Sequence, residues 1–148
     1  KEKVKIRGPF GMFTVKSTEQ DILFIAGGTG IAPLRSMIKD LLEKESKKRV
    51  TVIFGFRHEK DFFFQEEFKI LEKKYKNFQM YPYATQPPEK WLYGKGRITE
   101  HLSEIIKDSK NKEVYICGPK QMINDTLEIL LKKLNFEKKR VHIERWNV

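Results

Sequence analysis

The stretch that most constrains this chain is residues 21–37, DILFIAGGTGIAPLRSM. It opens with the apolar, β-favouring run Ile22-Leu23-Phe24-Ile25-Ala26, breaks into Gly27-Gly28-Thr29-Gly30, and resumes at Ile31 with helical spacing. That pattern predicts a strand, a glycine turn and a helix. Glycines at such a junction permit positive φ and let a ligand approach the main chain. The free amides at the start of the helix face outward, and an anion there gains roughly 0.3–1 kcal/mol from the helix dipole. A phosphate or pyrophosphate is therefore the expected guest, and valine at Gly28 or Gly30 is expected to block it while leaving the fold largely intact. Neither G-x-G-x-x-G nor a Gly-Lys-Ser/Thr ending is present. Pro33 suits the first helical turn, where its missing N–H costs nothing.

The rest of the 148-residue sequence repeats this alternation. A helix is predicted over 31–45, with Leu34, Met37, Ile38, Leu41 and Leu42 on one face. A buried strand follows over 50–55, then a loop at Phe56-Arg57-His58-Glu59. A second helix is expected from 63 or 65 to 75, and a third strand over 78–83, where Pro82 suits an edge. A loop over 85–95 carries Pro87-Pro88 and Trp91-Leu92-Tyr93-Gly94-Lys95-Gly96. Residues 98–107 read as a helix with Thr99 as N-cap, 114–117 as a fourth buried strand, 120–134 as a helix and 141–144 as a fifth strand. Val4-Lys5-Ile6 also alternates like a strand. Five strands alternating with helices imply right-handed crossovers, so the fold class is α/β, a doubly wound, Rossmann-like five-stranded parallel sheet. Ligands bind such sheets at the carboxyl ends of the strands. Here those ends are Gly27 to Gly30, Gly55 to Arg57, and Cys117 to Pro119.

Charge narrows the function classes. The chain carries a formal +10, which raises nucleic acid as a partner through counterion release. The lysines are interleaved with glutamates, as in Leu42-Glu43-Lys44-Glu45-Ser46-Lys47-Lys48-Arg49, and solvated helix faces explain them better. No nucleic-acid partner is expected. No apolar run reaches the ~20 residues of a membrane span, and the basic start, residues 1–7, lacks the apolar stretch of a signal peptide. The one cysteine, Cys117, forms no internal disulfide and suits a reducing cytoplasm. His58, His101 and His142 lie at no metal-ligand spacing with one another or with Cys117, so no metal is assigned.

AGGTGIAP after the first strand, FGFR after the second, WLYGKGRI before the fourth and YICGPKQMI at the fourth, taken in that order, resemble the pyridine-nucleotide domain of the ferredoxin-NADP reductase superfamily. The similarity is greatest to cytochrome b reductases and the reductase components of oxygenases and hydrogenases. The resemblance covers nearly the whole chain, and GPFGMF near the start resembles the end of the flavin-binding barrel that precedes this domain. It implies strand order 3-2-1-4-5 and a reaction in which NAD(P)H gives hydride to a flavin, FAD in the full-length protein, with electrons passing on to a protein or metal acceptor. It also implies a division into residues 1–15, the end of a missing flavin-binding barrel plus linker, and 16–148, the nucleotide domain. A chain without that barrel should not turn over alone.

Carried onto this sequence, the resemblance has Gly27, Gly28, Thr29 and Gly30 cradle the pyrophosphate, with Thr29 near the nicotinamide and flavin. Cys117, Gly118 and Pro119 lie beside the nicotinamide, Met122 supports their loop, and Phe56 and Arg57 meet the adenosine end. Cys117 and Met122 also read as core packing, and Arg57 as an exposed loop charge. Trp146 is the candidate aromatic that covers the flavin ring, the other reading being a tryptophan packed on its own domain. Unlike relatives with a cysteine-rich tail for an iron-sulfur cluster, this chain ends at Glu144-Arg145-Trp146-Asn147-Val148. For cofactor choice, Arg57, His58 and Lys60 stand with Glu59 and Asp61, which leaves NAD and NADP both open. FGFRHEKDFFFQEEF resembles the oxygenase-reductase pattern and tips the expectation slightly to NADH. A nucleotide-binding regulatory or adaptor module without redox chemistry is the alternative.

Overall fold

Strand β1 (Asp21–Gly27) is the centre of the molecule, because its residues from Ile22 onward are buried on both faces. Two-sided burial is what a continuous apolar run requires. The fold comes from a computed structural model that describes residues 3–5, 7–8, 11–17, 19–44 and 46–145. Around β1 it places α1 (Ile31–Glu43), β2 (Val50–Phe56), α2 (Gln65–Lys74), β3 (Phe78–Ala84), β4 (Gly94–Lys95), α3 (Ile98–Ile105), β5 (Lys112–Cys117), α4 (Lys120–Glu128) and β6 (Val141–Glu144). All strand pairs are parallel, in the order β4-β3-β2-β1-β5-β6. The register sets Ile25 of β1 between Ile53 and Ile116.

Strand alternation divides the core in two. Ile22, Phe24 and Ala26 face one side, with Leu34, Ile38 and Leu41 of α1 and Phe68 of α2. Leu23 and Ile25 face the other, with Ile98 and Leu102 of α3 and Ile123 of α4. Helices thus cover both faces, and the doubly wound α/β class is the observed one.

Among the described residues the sheet has six strands, not five. The five expected strands keep their expected order, and β4 is added outside β3 through Tyr83↔Gly94 and Ala84↔Lys95. Two residues carry no periodicity for a sequence to display. Pro82 lies just before that pairing begins, so β3 is an edge up to the proline and an inner strand beyond it. Gly94 is obligatory there, since a Cβ would overlap the Tyr83 ring.

Boundaries differ in three further places. Arg97, not Thr99, precedes α3: its N–H donates to the Glu100 carboxylate at 3.3 Å, and Glu100 N–H donates to its carbonyl at 3.0 Å. The helix expected over 120–134 stops at Glu128 and continues as a π-helical turn, Ile129–Lys133. Residues 3–5 form no strand, and Ile6 lies outside the described residues.

Candidate functional site

The carboxyl ends of β1, β2, β3 and β5 and the starts of α3 and α4 border one cleft of about 400 Å³. From β1 comes Gly27 followed by Gly28, the first residue of a 3-10 turn, Gly28–Gly30, that leads straight into α1. Gly28 has φ +53°, and a Cβ there would meet open space. Its requirement is conformational. Gly27 and Gly30 are required by contact instead: a Cβ on Gly27 would press on Met122 and Pro119, and one on Gly30 would overlap the Cys117 carbonyl. Gly30 therefore serves the fold as well as the turn, which corrects the expectation that a larger residue would leave the fold intact.

Gly55, Phe56 and Arg57 form the next wall. Phe56 is buried and stacks on Phe62 with ring centroids 5.0 Å apart, edge-on to Trp91 at 5.9 Å. Arg57 is exposed, and its Nε donates to Gln86 Oε1 at 3.1 Å. Pro119 and Met122 close the side contributed by the loop after β5 and by α4, where Asp125 accepts a hydrogen bond from Gln121 at 2.7 Å.

Of the residues expected from sequence, Gly27, Gly28, Phe56, Arg57, Pro119 and Met122 line this cleft. Thr29 is exposed at the tip of the turn, and Gly118 is half-buried against Gly27. Cys117 is fully buried, its side chain in the α1-facing core and its carbonyl against Gly30. Trp146 lies outside the described residues.

Sequence reasoning assigned no part in the site to Thr85, Gly96, Arg97, Ile98, Thr99, Gln121 or Asp125, all of which line the cleft. The signal available was WLYGKGRI: Gly96 has φ +101° and turns the chain so that Arg97 reaches the mouth. His101 braces that turn, its Nε2 donating to the Lys95 carbonyl at 3.0 Å while its ring stacks on Tyr83 at 4.6 Å. Burial, with Glu104 and Tyr81 nearby, holds the Tyr83 phenol above its ordinary range.

The structure also sorts the mixed charges after β2. Arg57 faces the cleft, whereas the Asp61 carboxylate accepts the His58 N–H at 3.0 Å and closes its own turn. The Arg97 guanidinium enters no ion pair among the described residues. Two arginines and one carboxylate, Asp125, thus border a site whose walls at Phe56, Ile98, Pro119 and Met122 are apolar. An aromatic base with phosphates attached fits such a lining, since apolar walls take the flat ring and guanidinium groups pair phosphate oxygens. Among the described residues no cluster of three or more His, Cys, Asp or Glu could hold a metal ion, and no helix is long and apolar enough to cross a membrane.

Residues 24–128 match the family model described as the oxidoreductase NAD-binding domain. A component of the Na(+)-translocating NADH-quinone reductase of a Marinomonas species is 33% identical over 97% of this chain and 36% of its own length. The corresponding component from Yersinia pestis is 35% identical over 97% of this chain and 37% of its length. The chain thus spans little more than a third of these relatives. Among solved structures, an Amycolatopsis cytochrome P450 reductase superposes with a TM-score of 0.83 at 23% identity, covering 93% of this chain and 42% of the other. The CS-b5R domains of human Ncb5or, in the NAD+ form, superpose with a TM-score of 0.79 at 26% identity, covering 91% and 40%.

Proposed function

This chain belongs to the oxidoreductase NAD-binding domain family, and we propose that, as a member of the ferredoxin-NADP reductase superfamily it resembles, it is the nicotinamide-nucleotide half of a flavin-dependent reductase. The observation that carries the reading is the cleft itself: a glycine turn at a helix start, held against the loop after Cys117, with two arginines at an apolar mouth. When bound, NAD(P)H would supply a hydride for a flavin held by a preceding domain, from which electrons would go on to a protein or metal acceptor.

Each residue has a part in binding or orientation. The amides of Gly28, Thr29 and Gly30 hold the pyrophosphate, whose charge the start of α1 favours. Arg57 and Arg97 meet the adenosine end and its phosphates, while Phe56 and Ile98 provide apolar walls. Thr29 and the Cys117-Gly118-Pro119 segment would flank the nicotinamide, and Met122 supports their loop from α4. Cys117 acts through the position of its strand end, its thiol being enclosed. Residues 1–15 form the end of the flavin-binding barrel with its linker, and 16–148 the nucleotide domain. A single buried cysteine outside any disulfide suits a reducing, cytoplasmic setting.

Joining this chain to its flavin-binding domain tests the proposal. NADH or NADPH should bleach the yellow flavin, and ADP-ribose should compete. Competition by ADP-ribose without any flavin reduction would favour a nucleotide-binding regulatory module. Salt-sensitive DNA binding with no nucleotide competition would overturn both.

A further inference from the structure

We propose that Tyr115 is a positioning residue for hydride transfer: its hydroxyl pins the chain at Lys16, where the linker ends, to the strand that ends at the nicotinamide side of the cleft. The inference rests on the functional reading above and on a polar atom in an apolar place. Tyr115 is fully buried in the α1-facing core, among Phe24, Ala26 and Cys117. Phenylalanine would fill such a position with no polar group to satisfy, and an unpaired buried hydroxyl costs roughly 1–3 kcal/mol. Here the oxygen accepts the Lys16 backbone N–H at 2.7 Å, across 99 residues of sequence. Because the donor is main chain, the bond fixes the path of the segment whatever side chain stands at 16.

The ring has little freedom to move. Phe13 meets it edge-on at 6.0 Å, Phe24 lies at 5.5 Å, and His142 of the neighbouring strand stacks on it at 4.7 Å. His142 is itself held by Glu113 at 2.6 Å. The linker follows the ring: Phe13 and Val15 pack on the same core, whereas Met12 is 82% exposed. Phe13 and Val15 thus tie the segment just before Lys16 to the same core as Tyr115. Tyr115 and Cys117 lie on one face of β5, two residues or about 7 Å apart. Slack at Lys16 becomes slack between flavin and nicotinamide, whose reacting atoms must stand about 3–3.5 Å apart, and misplacement by about 1 Å can cost 100-fold in rate.

The test uses the polypeptide carrying both domains. Tyr115→Phe should retain wild-type affinity for NAD(P)H, lower the rapid-mixing rate of flavin reduction on the order of 10-fold, and expose the Lys16 amide to faster hydrogen exchange. Phe13→Ala, a change at the partly exposed linker, should move rate and exchange in the same direction by less and with affinity unchanged. Wild-type reduction rates in both variants would overturn the latch alone. Slower reduction explained by weaker nucleotide affinity, or an unchanged Lys16 exchange rate, would overturn it as well. A wild-type protein that binds no nucleotide and shows no flavin reduction would overturn the functional reading together with the latch.

Discussion

Gly30 and Cys117 are in backbone contact: a Cβ on Gly30 would overlap the Cys117 carbonyl oxygen. The turn that opens α1 and the end of β5 are thereby locked into one wall of the site. Gly30→Ala should cost about 3 kcal/mol, the upper end of overpacking penalties, because backbone cannot swing aside as a side chain does. Gly28→Ala places its Cβ in open space and should cost only about 1–2 kcal/mol for the left-handed backbone. Thermal unfolding of the two variants checks the order, and nucleotide titration of Gly28→Ala should show the greater loss relative to its stability change.

Arg97→Gln should weaken ADP-ribose binding about tenfold, in line with one charge-assisted hydrogen bond of about 1.5 kcal/mol. Stability should move by less than about 0.5 kcal/mol, as the guanidinium enters no ion pair among the described residues. Calorimetric titration of wild type and variant gives both the loss and its decline with salt. Equal affinities would remove Arg97 from the site.

Cys117→Ala should lower stability by about 1 kcal/mol, since the side chain is wholly enclosed in the core. In the two-domain protein it should slow flavin reduction more than it weakens nucleotide binding, because relaxation around the missing sulfur would shift the strand end proposed to flank the nicotinamide. An unaltered reduction rate would leave Cys117 with a packing role only.

Tyr115 makes stability depend on alkaline pH. Burial holds its phenol above the ordinary value, and Glu113 acts in the same direction, while amide donation from Lys16 acts against them. The neutral form is favoured in the folded state, so its contribution is intact below the unfolded value of about 10 and is lost as pH rises through the raised folded value. Urea unfolding at about pH 9 and pH 11 should show a larger loss for wild type than for Tyr115→Phe. Tyrosinate absorbance should show one more late-titrating group in the wild type.

Much of this fold was legible along the chain because its signals are local. The apolar runs at 22–26, 50–54 and 114–117 state two-sided burial, the glycines at 27, 28 and 30 state a turn, and helical spacing supplies the crossovers. Parallel pairing follows from those elements and from the handedness of their connections, whereas the central placement of β1 came from the resemblance to the ferredoxin-NADP reductase superfamily. Gly27, Gly28, Phe56, Arg57, Pro119 and Met122 were reachable for the same reason, since ligands in such sheets meet the carboxyl ends of strands.

What the sequence could not decide depends on which groups meet across distance. β4 exists only because Gly94 and Lys95 pair with Tyr83 and Ala84, two residues being too few for a pattern. Arg97 joins the site because Gly96 turns the chain and His101 holds the turn, and the Asp61 carboxylate is turned to the His58 N–H while Arg57 faces the cleft. Gly28 and Gly30 look alike in sequence, yet one is required by its own φ and the other by the carbonyl of a residue 87 positions away. Local periodicity determined the elements and their order, because hydrophobic burial is written residue by residue. Tertiary structure alone decided what Gly30, Arg97 and Tyr115 stand against, because close contact and hydrogen bonding depend on distances that no spacing in the sequence records.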